Sequence, residues 1–348
     1  MLRVPAELCL SRVEVSEPRL GIDCVIYGCS VDGAAHLALH RLPLPEGPDS
    51  GLEPDVRLAT APALRPARSL GGGSWCVTAD RAAVVYLAVD GDLWLQGVDG
   101  GAARRLTGTG PDRALSGPCA LADGRSVAFV VDTAEVWAAD TVTGDLRRLD
   151  DGRHSFVSDV AALPSADGDT ARAAWVAWDV PDMPWDHAVV QCSDGSMLVD
   201  ATGAVQQVRA DATGAVWCVR DGNGWLNLWC DGRHAVDEQF EHAGPSWGPG
   251  QRSYAVSPDG RAVALVSGLF ANAGKLLAED ETARARLNAA AETVLMTLMP
   301  SAQAQLADFI AGVVQNWDTA TVVEKIELRV GRDLQYVRIN GTIFGFLA

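Results

Sequence analysis

The stretches DGDLWLQGVDGGAARRL, Asp90–Leu106, and TAEVWAADTVTGDLRRL, Thr133–Leu149, decide the fold. Set one above the other, they place Trp94 on Trp137 and Arg105 on Arg148, an offset of 43 residues. A period near 43 with room for about four strands per unit is the spacing of a β-propeller blade. Weaker copies centre on Asp159–Gln191, Gly214–Val236 and Tyr254–Val266, and an irregular one on Cys24–Leu42. Together they make about five blades and the start of a sixth.

The region up to about residue 266 is punctuated by ten Asp-Gly dipeptides, at Asp32, Asp90, Asp99, Asp123, Asp151, Asp167, Asp194, Asp221, Asp231 and Asp259. Asp-Gly supplies the positive φ angles of a tight hairpin turn. Between the turns lie short β-branched and aromatic runs such as Ala83–Leu87, Ser126–Val130 and Ala262–Val266, which read as antiparallel strands. The expected class is therefore mainly β, an incomplete propeller over residues 1–266.

After Val266 the periodicity changes. Leu276, Leu287, Ala291, Val294 and Leu298 fall at helical spacing up to Pro300, and Leu306, Phe309, Ile310, Val313, Val314 and Trp317 form a second stripe. Thr321 and Glu324 read as a capping box opening a third, through Ile326, Val330 and Leu334. A small all-α segment of about three helices is expected over residues 267–348, with the boundary at 266–275. Ten of the eleven tryptophans precede Val266, so composition switches where periodicity does.

Composition narrows the function. With 48% hydrophobic and 21% charged residues the 348-residue chain has the make-up of a globular protein. A net charge of −17 repels phosphate backbones and anionic lipid, which argues against nucleic acid as a partner. No stretch reaches the roughly 20 apolar residues of a membrane helix. The opening MLRVPAELCLSRVEV is too short and too charged for export, so the eight cysteines are expected to be reduced thiols and the location cytoplasmic.

The Trp-rich phrases WVAWDVPDMPWD (Trp175–Asp186), DGNGWLNLW (Asp221–Trp229) and the run from Glu238 through GPSWGPGQRSYAVSPDGR to Arg261 resemble bacterial prolyl-oligopeptidase-family enzymes of the dipeptidyl- or acylaminoacyl-peptidase type. The resemblance covers about residues 10–266. It implies a propeller that screens substrates by size ahead of an α/β-hydrolase domain carrying a Ser, an Asp and a His. Here that text breaks off one strand into a blade, and no hydrolase text follows. From about Gly274, and above all in NWDTATVVEKIELRVGRDLQYVRINGT (Asn316–Thr342), the chain is similar to a bacterial inner-membrane family of unknown function, numbered four hundred and forty-five among the domains of unknown function. In that family the phrase leads into a membrane helix, whereas only Ile343–Ala348 follows it here.

Gly244-Pro-Ser246-Trp-Gly248 satisfies G-x-S-x-G, but a nucleophile elbow needs a strand before its Ser, a helix after it, and a later His. Pro245 and Pro249 flank Ser246 and no His follows His242, so no catalytic residue is expected. His36 and His40 stand four apart on a strand rather than a helix and lack the H-E-x-x-H glutamate. Asp221-Gly-Asn223-Gly and Asp167-Gly-Asp169 fail the calcium-loop pattern and read as turns. No metal and no cofactor is expected.

The candidate binding cluster is Trp178, Asp182, Trp185 and Asp186, whose ring faces and charge suit the free amine of a peptide. The competing reading is that Trp185 and the prolines lock a long loop. The expected role is a non-catalytic propeller that gates substrate and docks a hydrolase domain, with a peptide or that domain as partner. The alternative is an envelope protein peripheral to the inner membrane, its tail carrying the function while the propeller binds a partner. Open blade edges would favour self-association.

Overall fold

The computed structural model describes residues 13–267 except 32–33, 42–55, 67–72, 110–111, 165–170, 201–202, 247 and 249, together with 282, 285, 288 and 289. The chain divides into two compact units, Met1–Lys275 and Leu276–Ala348, and every described strand belongs to the first. The residues carrying the three expected helical stripes lie outside the described residues.

The described part is mainly β. Five antiparallel four-stranded sheets and one two-stranded sheet follow one another, each with its strands paired in chain order. The first holds β1 (Val13–Leu20), β2 (Cys24–Val31), β3 (Ala34–Arg41) and β4 (Val56–Leu58). The second holds β5 (Trp75–Val77), β6 (Ala83–Leu87), β7 (Leu93–Gly97) and β8 (Arg104–Arg105), and the third β9 (Leu115–Ala120), β10 (Ser126–Val131), β11 (Glu135–Asp140) and β12 (Leu146–Arg148). The fourth holds β13 (Phe156–Leu163), β14 (Arg172–Trp178), β15 (Val189–Cys192) and β16 (Met197–Asp200). The fifth holds β17 (Val205–Ala210), β18 (Val216–Arg220), β19 (Asn227–Cys230) and β20 (Arg233–His234), and the last β21 (Tyr254–Val256) and β22 (Val263–Leu265).

The sequence repeat has a direct structural meaning. Trp94 faces Arg105 across β7 and β8, and Trp137 faces Arg148 across β11 and β12, so the aligned residues occupy the same cross-strand pair in successive sheets. The Asp-Gly dipeptides at Asp90, Asp99, Asp123, Asp194, Asp221, Asp231 and Asp259 open turns between paired strands, and Asp151 stands on the connection from β12 to β13. At Asp123 the chemistry is explicit. Its carboxylate accepts the Arg125 and Ser126 amides at 3.1 and 2.8 Å, while Gly124 takes a φ of 72° that a side chain would resist. The dipeptides at Asp32 and Asp167 fall outside the described residues.

Alternation within the strands gives the second to fifth sheets two apolar faces, and successive sheets bury apolar faces against each other. Ile26, Leu37 and Leu58 of the first sheet pack on Trp75, Val84 and Tyr86 of the second. Leu93 and Val85 meet Leu115 and Phe129, Val130 and Val136 meet Val157 and Trp175, and Val176 and Val190 meet Val205 and Trp229. Trp217 and Leu228 close on Tyr254 of the last sheet. Among the described residues no apolar cluster joins the last sheet to the first, and Leu20 and Ile22 at one end and Val263 and Val266 at the other are exposed. Seven of the cysteines are described, and Cys24, Cys76, Cys119, Cys192, Cys218 and Cys230 are free thiols.

One buried charge is built into the sheets. Asp92 is fully buried at the head of β7, where it accepts hydrogen bonds from the Thr107 hydroxyl at 2.7 Å, the Thr109 amide at 2.9 Å, the Thr109 hydroxyl and the Arg105 guanidinium. Burial works against its ionisation, but Arg105, Thr107 and Thr109 outweigh it and hold the carboxyl below the ordinary 3.8. Arg105 is half-exposed and screened by water, so the stability resides mainly in the threonine bonds. Asp92→Asn is expected to cost about 2 kcal/mol in urea denaturation at neutral pH. Because the folded carboxyl titrates low, that difference is fully present above pH 3.8 and shrinks as pH falls through the folded value.

Candidate functional site

The first strand of each sheet lies innermost, and together these strands line a cavity of about 300 Å³. Its wall is drawn from Arg19 on β1, Trp75 and Cys76 on β5, Pro118 and Cys119 on β9, Asp159 to Ala162 on β13, Arg209 on β17, and Gly250 and Arg252 just before β21. A channel lined by the inner strands of successive four-stranded sheets is the geometry of a propeller axis.

The inner strands are irregular at matching places. Register slips occur between Ser16 and Arg19, between Ser158 and Ala161, and between Gln206 and Arg209. Each slip contains a non-glycine residue at positive φ, namely Glu17 at 50°, Asp159 at 50° and Gln207 at 58°. Gly73, Gly117 and Gly250 adopt the same hand at the corresponding points of the other three sheets. A bulge of this kind re-aims one side chain out of the alternation.

The re-aimed side chains cross to the neighbouring sheet. Glu17 accepts the Gly73 and Ser74 amides at 2.9 and 3.4 Å. Asp159 accepts the Gln207 amide at 2.9 Å and the Gly250 amide at 3.1 Å. Gln207 accepts the Ser253 amide at 2.7 Å, and its carbonyl lies 2.6 Å from the Tyr254 hydroxyl. Gly73 is thus tied on both sides, since its carbonyl also accepts the Gly117 amide at 2.9 Å.

Three guanidinium groups enter the channel. Arg19 lies 3.4 Å from the Glu17 carboxylate and 5.6 Å above the Trp75 ring. Arg209 donates to the main-chain carbonyls of Val208 and Gln251, at 2.5 and 3.0 Å. Arg252 is open to water inside the channel yet walled by protein on most sides, and burial, then Arg209 and Arg19, bring its pKa down to about 9. Burial pushes the Glu17 carboxyl up against the Gly73 bond and Arg19, and pushes the Cys76 and Cys119 thiols up as well.

Comparison with solved structures finds the same architecture. The structure is similar to the crystal structure of puromycin hydrolase, with a TM-score of 0.54 and 22% identity over 74% of this chain and 45% of that one. It is equally similar to a puromycin-hydrolyzing peptidase of Mycobacterium tuberculosis, at 0.54 and 23% identity over 76% of this chain and 44% of that one. The likeness is one of fold. This chain spans less than half the length of either peptidase. A family model described as a protein of unknown function (DUF445) matches residues 247–348 and so begins well before Gly274, where the resemblance in sequence was read. No curated protein matches the chain by sequence.

None of Trp178, Asp182, Trp185 and Asp186 lines the channel. Trp178, at the end of β14, stacks on Phe156 with ring centroids 5.5 Å apart. Asp186 accepts the Met183 amide at 3.1 Å within its own loop, Asp182 lies 3.7 Å from His187, and Trp185 is half-buried. Ser246 stands in the loop between β20 and β21, and among the described residues there is neither the strand before it nor the helix after it that an elbow requires. His36 and His40 lie on β3 as expected, and among the described residues no group of three or more His, Cys, Asp or Glu could hold a metal.

Sequence reading missed a Ser–His–Glu chain in which the Ser267 hydroxyl lies 2.8 Å from His242 Nδ1 and a Glu238 carboxylate oxygen lies 3.0 Å from His242 Nε2, without the geometry of a hydrogen bond. These residues are outside the channel wall.

The sheet-to-sheet latches carry a stability prediction. Asp159→Asn preserves tolerance of the left-handed backbone and weakens the two amide bonds. It should lower the urea midpoint by an amount corresponding to about 1–3 kcal/mol with an unchanged m-value. Asp159→Ala, which leaves both amides unpaired, should cost more.

Proposed function

We propose that the first unit is the propeller portion of a prolyl-oligopeptidase-family peptidase and acts without catalytic residues of its own, admitting or holding substrate at its channel and docking a hydrolase domain. The observation that carries this reading is the likeness to two puromycin-hydrolysing peptidases, confined to under half of each. The exposed Leu20, Ile22, Val263 and Val266 at the two ends of the sheet series supply apolar surface for docking. On this reading the loop of Trp178, Asp182, Trp185 and Asp186 is a second contact for a peptide amine.

A serine-reactive fluorophosphonate tests the reading. The full chain should show no covalent labelling above a heat-denatured control, at Ser246 or at Ser267. Stoichiometric labelling of Ser267 that is lost in His242→Ala would make the Ser267–His242–Glu238 chain a catalytic device and sink the non-catalytic reading.

The match over residues 247–348 favours a second reading, in which the tail carries the function at a membrane surface and the propeller binds a partner. Among the described residues no helix is long and apolar enough to cross a membrane. Fractionation of expressing cells separates the two. The first reading expects the full chain in the supernatant, and pelleting that resists high salt would favour the second.

A further inference from the structure

Arg19, Arg209 and Arg252 are far apart in sequence and come from the first, fifth and last sheets, yet all three border one cavity of about 300 Å³. The carboxylates nearby are already engaged. Both oxygens of Asp159 accept main-chain amides, from Gln207 and Gly250, and Glu17 divides its two oxygens between the Gly73 and Ser74 amides and Arg19. Among the described residues neither Arg209 nor Arg252 forms an ion pair, and the two main-chain carbonyls that Arg209 bonds take two of its five N–H donors. The Cys76 and Cys119 thiols on the same wall stay neutral because burial raises their pKa. The cavity therefore holds an excess of positive charge inside a chain whose net charge is −17.

Charge gathered in a concave, protein-walled space is costly unless it is compensated. A guanidinium presents its N–H donors as a planar fork that fits a carboxylate or phosphate group in bidentate fashion. Trp75, Pro118 and the alanines of β13 and β17 give the rest of the wall an apolar character, as in pockets where a few charged groups orient a compact ligand. We propose that the channel binds a small molecule bearing a carboxylate or phosphate group, held between the guanidinium groups of Arg209 and Arg252 with Arg19 behind them. The overall negative charge gives such a ligand no long-range steering, so recognition is short-ranged and specific to the cavity. The site stands whether or not a hydrolase domain docks.

Isothermal titration of the full chain with citrate and, separately, inorganic phosphate at constant ionic strength tests the proposal, with sodium chloride as the control titrant. Saturable binding of one anion per chain is expected for at least one of the two, and the stronger of them tells a carboxylate ligand from a phosphate one. Arg252→Gln and Arg209→Gln should each weaken it about tenfold, the equivalent of one charge-assisted hydrogen bond. Arg153→Gln, on an exposed turn outside the channel, should leave it unchanged. Where Arg252→Gln does not fold by circular dichroism, Arg252→Lys keeps the charge without the fork and should still weaken binding. Absence of saturable heat with both anions, or equal weakening by Arg153→Gln, overturns the site.

Discussion

Everything in the first unit depends on side chains that leave one inner strand and bind the main chain of the next. Asp159 is the clearest case. It sits on β13 yet holds the amide of Gln207 on β17 and that of Gly250 ahead of β21, so three successive sheets meet at one carboxylate. The magnitudes favour the arrangement. Left-handed backbone costs about 1–2 kcal/mol for a residue with a side chain, and less for Asp, whereas each hydrogen bond to a charged acceptor is worth about 1.5–3 kcal/mol. Two such bonds outweigh the strain. Apolar packing between sheets is non-directional, and the latches add the direction that fixes how far one sheet turns relative to the next.

The same latches explain the electrostatics of the channel. A carboxylate bound by two amides is satisfied as an anion and has little left to offer a nearby cation. Asp159 is consumed in this way and Glu17 keeps only Arg19, at 3.4 Å, so Arg209 and Arg252 are left to find compensation from main-chain carbonyls, water or a ligand. A strongly acidic chain thus has a cationic axis, because its acidic residues are spent on turns at the periphery and on main-chain amides at the centre. The lowered pKa of Arg252 expresses this crowding, with burial as the first cause and Arg209 and Arg19 as the next.

How much of this was legible in sequence depends on how local the signal was. The Asp-Gly turns and the Trp94/Trp137 and Arg105/Arg148 repeat are local, and each corresponds to a feature of the sheets. The latches were not legible, because an Asp, a Glu and a Gln at matching blade positions share no letter, only a bulge that no periodicity reports. The arginines were missed for a different reason. Arg19, Arg209 and Arg252 become neighbours only through the closing of inner strands on one axis, and a reading that sought exposed aromatic loops passed over them. Trp178 to Asp186 drew attention as a dense phrase, but the contacts described there are mostly local, Asp186 with Met183 and Asp182 with His187.

Residues 247–267 belong to two descriptions at once. They open the match to the family of unknown function, and they also supply Gly250, Arg252, Ser253 and Tyr254 to the channel and its latches. The described residues among them are bound to the sheets before them. Tyr254 is 5% exposed, packs with Trp217 and Leu228, and sets its hydroxyl 2.6 Å from the Gln207 carbonyl and 3.0 Å from that of Trp217. Removing the segment would strip Asp159 and Gln207 of partners and expose the face of the fifth sheet, so the propeller unit needs it whatever text it shares with the tail. A separation of the chain into independent pieces must therefore fall after this segment, because hydrogen bonds and buried area, and not the limits of a family match, decide which residues fold together.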